Sequence, residues 1–198
     1  YCKDMTWTGG LSSPSIAGSS ALDIYGSLTL TSGMGNTYTG TIRFGSTAAS
    51  SRTITTAGNQ LRSSLIFDGA GAQWVLQDPL VTYNNGTDLI LTQGSLNTNG
   101  QYVYLSRLIS TGSQTRALTL GSSEIVLTYS STSPGAWALG SSNMNFSGGT
   151  SHITLTGGSS RFSGGGLPYY DVEFQNTSTS YLDGSNTFHD VSFTGNAS

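Results

Sequence analysis

Three carboxylates, Asp171, Glu173 and Asp190, are the residues of this 198-residue chain whose types and spacing could do chemistry. Asp171-Val-Glu-Phe returns as Asp190-Val-Ser-Phe at an offset of 19 (190 − 171). Stacked as strands, the two segments would project Asp171 and Asp190 from one face about 4.8 Å apart, with Glu173 two residues along. Carboxylates about 5 to 5.5 Å apart are the geometry of a retaining glycosidase, and clustered carboxylates also hold calcium. The competing reading is capping, in which Asp side chains accept backbone N–H bonds in the turns before strands. Capping is preferred, because no second signature of catalysis accompanies the three residues. Calcium held by Asp171, Glu173 and Asp190 is the functional alternative, and no other cofactor is expected.

The remaining chemical candidates are weaker. His189 adjoins Asp190 and His152 heads the Asp column, but neighbours in a strand face opposite ways, so His189 and Asp190 should not cooperate. Thr-x-Thr pairs such as Thr154/Thr156 suggest an ice-binding ladder. One repeat later they become Glu173 and Gln175, which breaks it. Trp7, Trp74 and Trp137 could stack on sugars if exposed, yet beside Gly- and Ala-rich corners they are expected to cover the core. Tyr102, Tyr104, Tyr169 and Tyr170 include some that alternation turns outward, the composition of an adaptable binding surface.

These residues must be positioned by short strands. Alternating segments such as Ser27-Leu-Thr-Leu-Thr, Asp88-Leu-Ile-Leu-Thr and Ala117-Leu-Thr-Leu-Gly are bounded by Gly, Ser and Asn, with no helical periodicity. His152-Ile-Thr-Leu, Asp171-Val-Glu-Phe and Asp190-Val-Ser-Phe share the 19-residue offset, which also carries Phe162 onto Tyr181 and Leu167-Pro-Tyr-Tyr onto Asn186-Thr-Phe-His. A fixed phase aligning polar and apolar positions is the mark of a stacked repeat. The reading is an all-β parallel β-solenoid with rungs of about 19 to 22 residues. An antiparallel β-sandwich is the alternative. Ile153, Leu155, Val172, Phe174, Val191 and Phe193 should face inward, with Thr154, Glu173 and Ser192 outward. Arg52 to Trp74 and Arg116 to Trp137 repeat at similar spacing, which suggests three supermodules within one domain spanning 1–198.

Composition limits the function classes. Seven basic against ten acidic residues give a net charge of −3, and the basic ones form no stripe that could track phosphates, so nucleic acid is not an expected partner. No apolar run is long enough for a membrane-spanning helix. Cys2 is the only cysteine, which excludes an internal disulfide framework. Four sequons, at Asn85, Asn145, Asn176 and Asn196, are what chance gives in so Ser/Thr-rich a chain. Nothing after Asp190-Val-Ser-Phe-Thr is large enough to cover Val191 and Phe193. The chain is therefore expected to be a segment of something longer or to pack against sister copies.

In Arg116-Ala-Leu-Thr-Leu-Gly-Ser-Ser, Phe162-Ser-Gly-Gly-Gly-Leu-Pro-Tyr-Tyr-Asp-Val-Glu-Phe and Gly184-Ser-Asn-Thr-Phe-His-Asp-Val-Ser-Phe, the chain resembles a diffuse class. It comprises the Gly/Ser/Thr-rich parallel β-helix repeats of bacteriophage fibre, spike and virion-surface proteins and of bacterial secreted adhesins. The resemblance implies a non-enzymatic structural or adhesive module, extracellular, on a virion surface or a bacterial appendage. Its implied partners are copies of itself, neighbouring structural proteins and host surface glycans. A β-helix polysaccharide lyase or hydrolase is the second hypothesis and an architectural cement protein the third. The motifs of polygalacturonase-type solenoid enzymes are absent, so no catalytic residue carries over.

Overall fold

A computed structural model describes residues 1–8, 13–83 and 86–195. Every strand pair in it is parallel: a thirteen-stranded sheet, a six-stranded sheet and the small pair Ser15–Gly18 with Gly35–Tyr38. The chain is a parallel β-solenoid of about eight turns. Its longest column runs Leu22, Ile42, Leu65, Leu89, Leu108, Trp137, Phe162, Leu182, one residue per turn. A second column holds Trp74, Leu96, Leu118 and Phe146, and a third holds Leu80, Val103, Ile125, Ile153, Val172 and Val191.

The 19-residue offset holds where it was read, between Ile153, Val172 and Val191. Elsewhere a turn takes up to 29 residues, as from Leu108 to Trp137, so rungs are not confined to 19 to 22. The strands keep their phase while the corners between them absorb insertions, because only the strands are bound to the rungs above and below. One such corner insertion gives Phe162 the partner Leu182, at an offset of 20, in place of Tyr181.

Burial follows the columns, with two corrections. Ile153, Leu155, Val172 and Phe174 are buried, but Val191 and Phe193 are 41% and 60% exposed. They belong to the last described turn, and among the described residues no further rung lies over them. Thr154, expected outside, is 6% exposed, because its small side chain sits between Val126 and Glu173 on the adjoining turns.

Trp74 and Trp137 are fully buried, which removes them as sugar platforms, and Trp7 packs half-buried against the core. Trp74 and Trp137 stand in different columns, so the three supermodules are not structural equivalents. Trp137 stacks on Phe162 at 5.8 Å, and its Nε1 donates to the Tyr169 hydroxyl at 3.1 Å. That hydroxyl in turn donates to the Gly164 carbonyl at 2.8 Å. Burial pushes the Tyr169 phenol well above its ordinary pKa, so it stays a donor.

The arginine echo does mark a repeated device. Arg52 donates to the carbonyls of Tyr25, Ala48 and Ser50 and to Ser46 Oγ. Arg116, 1% exposed, donates to the carbonyls of Gln114, Ser110, Gly140 and Ser142 and to Ser110 Oγ. Each guanidinium fills a corner and gathers its carbonyls, some of which also accept a backbone N–H, and each reaches back six residues to a serine. Glycine is required where the corners come closest. Gly94 has φ +84°, and a Cβ there would lie 2.2 Å from the Gly69 carbonyl oxygen.

Candidate functional site

The acidic face lies on the six-stranded sheet. The register aligns Glu124, His152, Asp171 and Asp190 in one outward column, and Val126, Thr154, Glu173 and Ser192 in the next. Asp171 belongs to the strand Pro168–Phe174, and Asp190 to Thr187–Phe193. Both strands turn a corner. Tyr169 and Val172 face inward three residues apart, so Tyr170 and Asp171 both face out. Stacking in register places His189 and Asp190 likewise on the outside.

This corner overturns the expectation that His189 and Asp190 act apart. His189 Nδ1 lies 2.9 Å from Asp171 Oδ1 and 3.4 Å from Asp190 Oδ2. One ligand atom from each of these three residues falls within 4.8 Å of the others. The His189 ring lies flat on Tyr170, with centroids 4.2 Å apart and planes 3° from parallel. The hydrogen bond to Asp171 raises the His189 pKa, helped by the charge of Asp190. Linkage therefore gives this pairing its full stabilising effect below the ordinary histidine range, and that effect is lost as pH rises through the raised value.

Glu173 does not join the cluster. Its Oε1 accepts a short hydrogen bond from the Thr194 hydroxyl, and its Oε2 lies 3.4 Å from His152 Nε2. The Thr194 bond holds its carboxyl below the usual range, with the His152 charge adding to the effect. The three carboxylates thus separate into two groups, Asp171 and Asp190 about His189, and Glu173 with His152 and Thr194. Three carboxylates would have offered calcium an all-oxygen set; the group that does converge contains an imidazole nitrogen.

Replacing Asp171 by Asn should lower the His189 titration midpoint toward the ordinary value of 6.5. The chain has two histidines, so proton NMR of the imidazole C–H signals resolves the change directly. An unmoved His189 midpoint, or a shift confined to His152, would contradict the pairing.

The chain matches no family model, no curated protein and no solved structure. Of the sequons, Asn145 is exposed. Asn176 is 6% exposed, with Nδ2 donating to Thr179 and Oδ1 accepting from Ser180, and Asn85 and Asn196 lie outside the described residues.

One surface feature escaped the sequence reading. Arg62, Arg107 and Arg161 lie over Tyr83, Tyr129 and Tyr181, with guanidinium carbons 4.0, 4.6 and 4.8 Å from the ring centroids. Each pair joins adjacent turns, with offsets of 20 to 22 residues, and such contacts are worth about 0.5–1 kcal/mol at exposed sites. The signal was present as an Arg followed about one rung later by a Tyr.

Proposed function

We propose that the chain is a non-enzymatic structural module, a rod segment of a virion or cell-surface appendage that joins neighbours end to end and presents polar faces along its length. The observation that carries this reading is the last turn. Leu182, Val191 and Phe193 are 40%, 41% and 60% exposed, and among the described residues the strands Ser180–Asp183 and Thr187–Phe193 each pair on one side only. Exposed apolar columns beside unpaired parallel edges are a template for a further rung. Among partners, a second copy and a neighbouring structural protein both fit such an end. Exposed Tyr83 and Tyr181, beside Arg and Ser, suit contact with surface glycans along the sides.

The acidic face gives the enzymatic alternative little support. A glycosidase needs one carboxyl held protonated by a raised pKa, and Glu173 is shifted the other way. Asp171 and Asp190 side chains are 32% and 77% exposed, in contact with water that would compete with any developing charge. Incubation with neutral and acidic surface polysaccharides should release no reducing ends and no unsaturated products. Release that disappears in the Asp171→Asn, Asp190→Asn double variant would replace this proposal by the glycosidase reading.

A further inference from the structure

Asp171, His189 and Asp190 form a ligand set whose chemistry differs from that of an acidic patch. We infer that these three residues bind a divalent transition metal of the zinc class, and that the ion staples the last described turn to the one before it. This inference is independent of the rod reading, since it concerns two turns of one chain.

The spacing of the ligand atoms is the first support. A tetrahedral zinc site with bonds of about 2.0–2.1 Å has neighbouring ligand atoms about 3.3 Å apart. His189 Nδ1 lies 2.9 and 3.4 Å from the two carboxylate oxygens and all three ligand atoms lie within 4.8 Å of one another, so rotation of the exposed Asp190 carboxylate would close the set around an ion. The donor types are the second support. One imidazole with two carboxylates suits zinc, whereas calcium takes six to eight oxygens and gains nothing from a ring nitrogen.

A third and independent observation is where the histidines are. The chain has only two, and both lie on this face, on turns two rungs apart. His152 is the register partner of Asp171 and lies 3.4 Å from Glu173, so a second imidazole–carboxylate pair flanks the first. The His189 ring is also oriented in advance. Its face lies on Tyr170 at 4.2 Å, which points Nδ1 toward the carboxylates without spending that nitrogen on a distant partner.

Asp171 sits on one turn, and His189 with Asp190 on the next, so the ion would cross-link two rungs where stacking is incomplete. Titration calorimetry of the intact chain with zinc chloride, in a buffer that does not chelate, should show one saturable site. His189→Ala and Asp190→Asn should each weaken it by at least about tenfold, the scale on which a metal site's supporting residues act. Both side chains are exposed, so neither substitution threatens folding. His152→Ala should leave the affinity within about threefold, and calcium chloride should give no saturable heat. Hydrogen exchange of residues 187–193 should slow when zinc is added, in wild type but not in His189→Ala. Absence of saturable zinc binding, equal affinity in wild type and His189→Ala, or loss caused by His152→Ala alone would each overturn the assignment.

Discussion

Replacing Arg116 by Met should remove about 3 to 5 kcal/mol of folding stability, although the residue faces no charged partner and no ligand. The guanidinium serves the carbonyls of Gln114, Ser110, Gly140 and Ser142. Methionine fills a similar volume but offers no donor, so the carbonyls of Gln114, Gly140 and Ser142 and the buried Ser110 hydroxyl would lose their charged donor, while the Ser110 carbonyl keeps the Gly140 N–H. Each buried acceptor without a partner costs about 1 to 3 kcal/mol, and hydrogen bonds from a charged donor are stronger than neutral ones. Burial already pulls the Arg116 pKa down, the sign of a desolvated cation held by neutral groups alone. Urea unfolding should show a lower midpoint with an unchanged slope. Arg62→Ala, on the surface, bonded to a single carbonyl and lying over Tyr83, should cost only about 1 kcal/mol. A loss below about 1 kcal/mol for Arg116→Met would mean that the corner relaxes and hydrates.

Phe174→Ala should destabilise by about 3 to 5 kcal/mol, the usual range for a buried phenylalanine. The stacked position one rung later supplies the control. Phe193 lies 4.8 Å from Phe174 with planes 9° apart and has the same register, but it is 60% exposed. Phe193→Ala should therefore cost about 1 kcal/mol or less, because little surface returns to water and no cavity opens. Thermal or urea unfolding at a concentration where the chain is monomeric measures both. Equal losses at the two positions would show that something covers Phe193 in solution.

The parallel stacking was legible in the sequence because it rests on periodicity. Ile153, Val172 and Val191 share a phase, and a solenoid converts phase directly into contact. The variable rung lengths were harder to read, since the 29-residue turn from Leu108 to Trp137 stores its extra residues in a corner, where no ladder constrains spacing. Trp74 and Trp137 misled for a related reason. Similar distances from Arg52 and Arg116 looked like equivalence, but Arg52 pairs in register with Trp74 and Arg116 with Met144.

The acidic face was legible only in part. The alignment of Asp171 with Asp190 followed from the offset, and it holds. The participation of His189 did not, because strict alternation fails where a strand bends around a corner, and nothing in Tyr169-Tyr-Asp-Val announces a bend. Glu173 was grouped with the aspartates by sequence proximity. Thr194 and His152, from adjoining turns, hold it instead.

Association through the last turn is the claim on which the structural role depends. Sedimentation velocity of the intact chain over a concentration series, in low and high salt, tests it most directly. The account predicts association that strengthens with concentration and persists in high salt, because apolar contact and strand pairing are screened far less than charge pairs. It also predicts that Val191→Lys with Phe193→Lys abolishes that association while leaving the monomer folded, as both side chains are exposed in the single chain. A wild-type chain that stays monomeric at every concentration, or association that the two lysines leave intact, would contradict it.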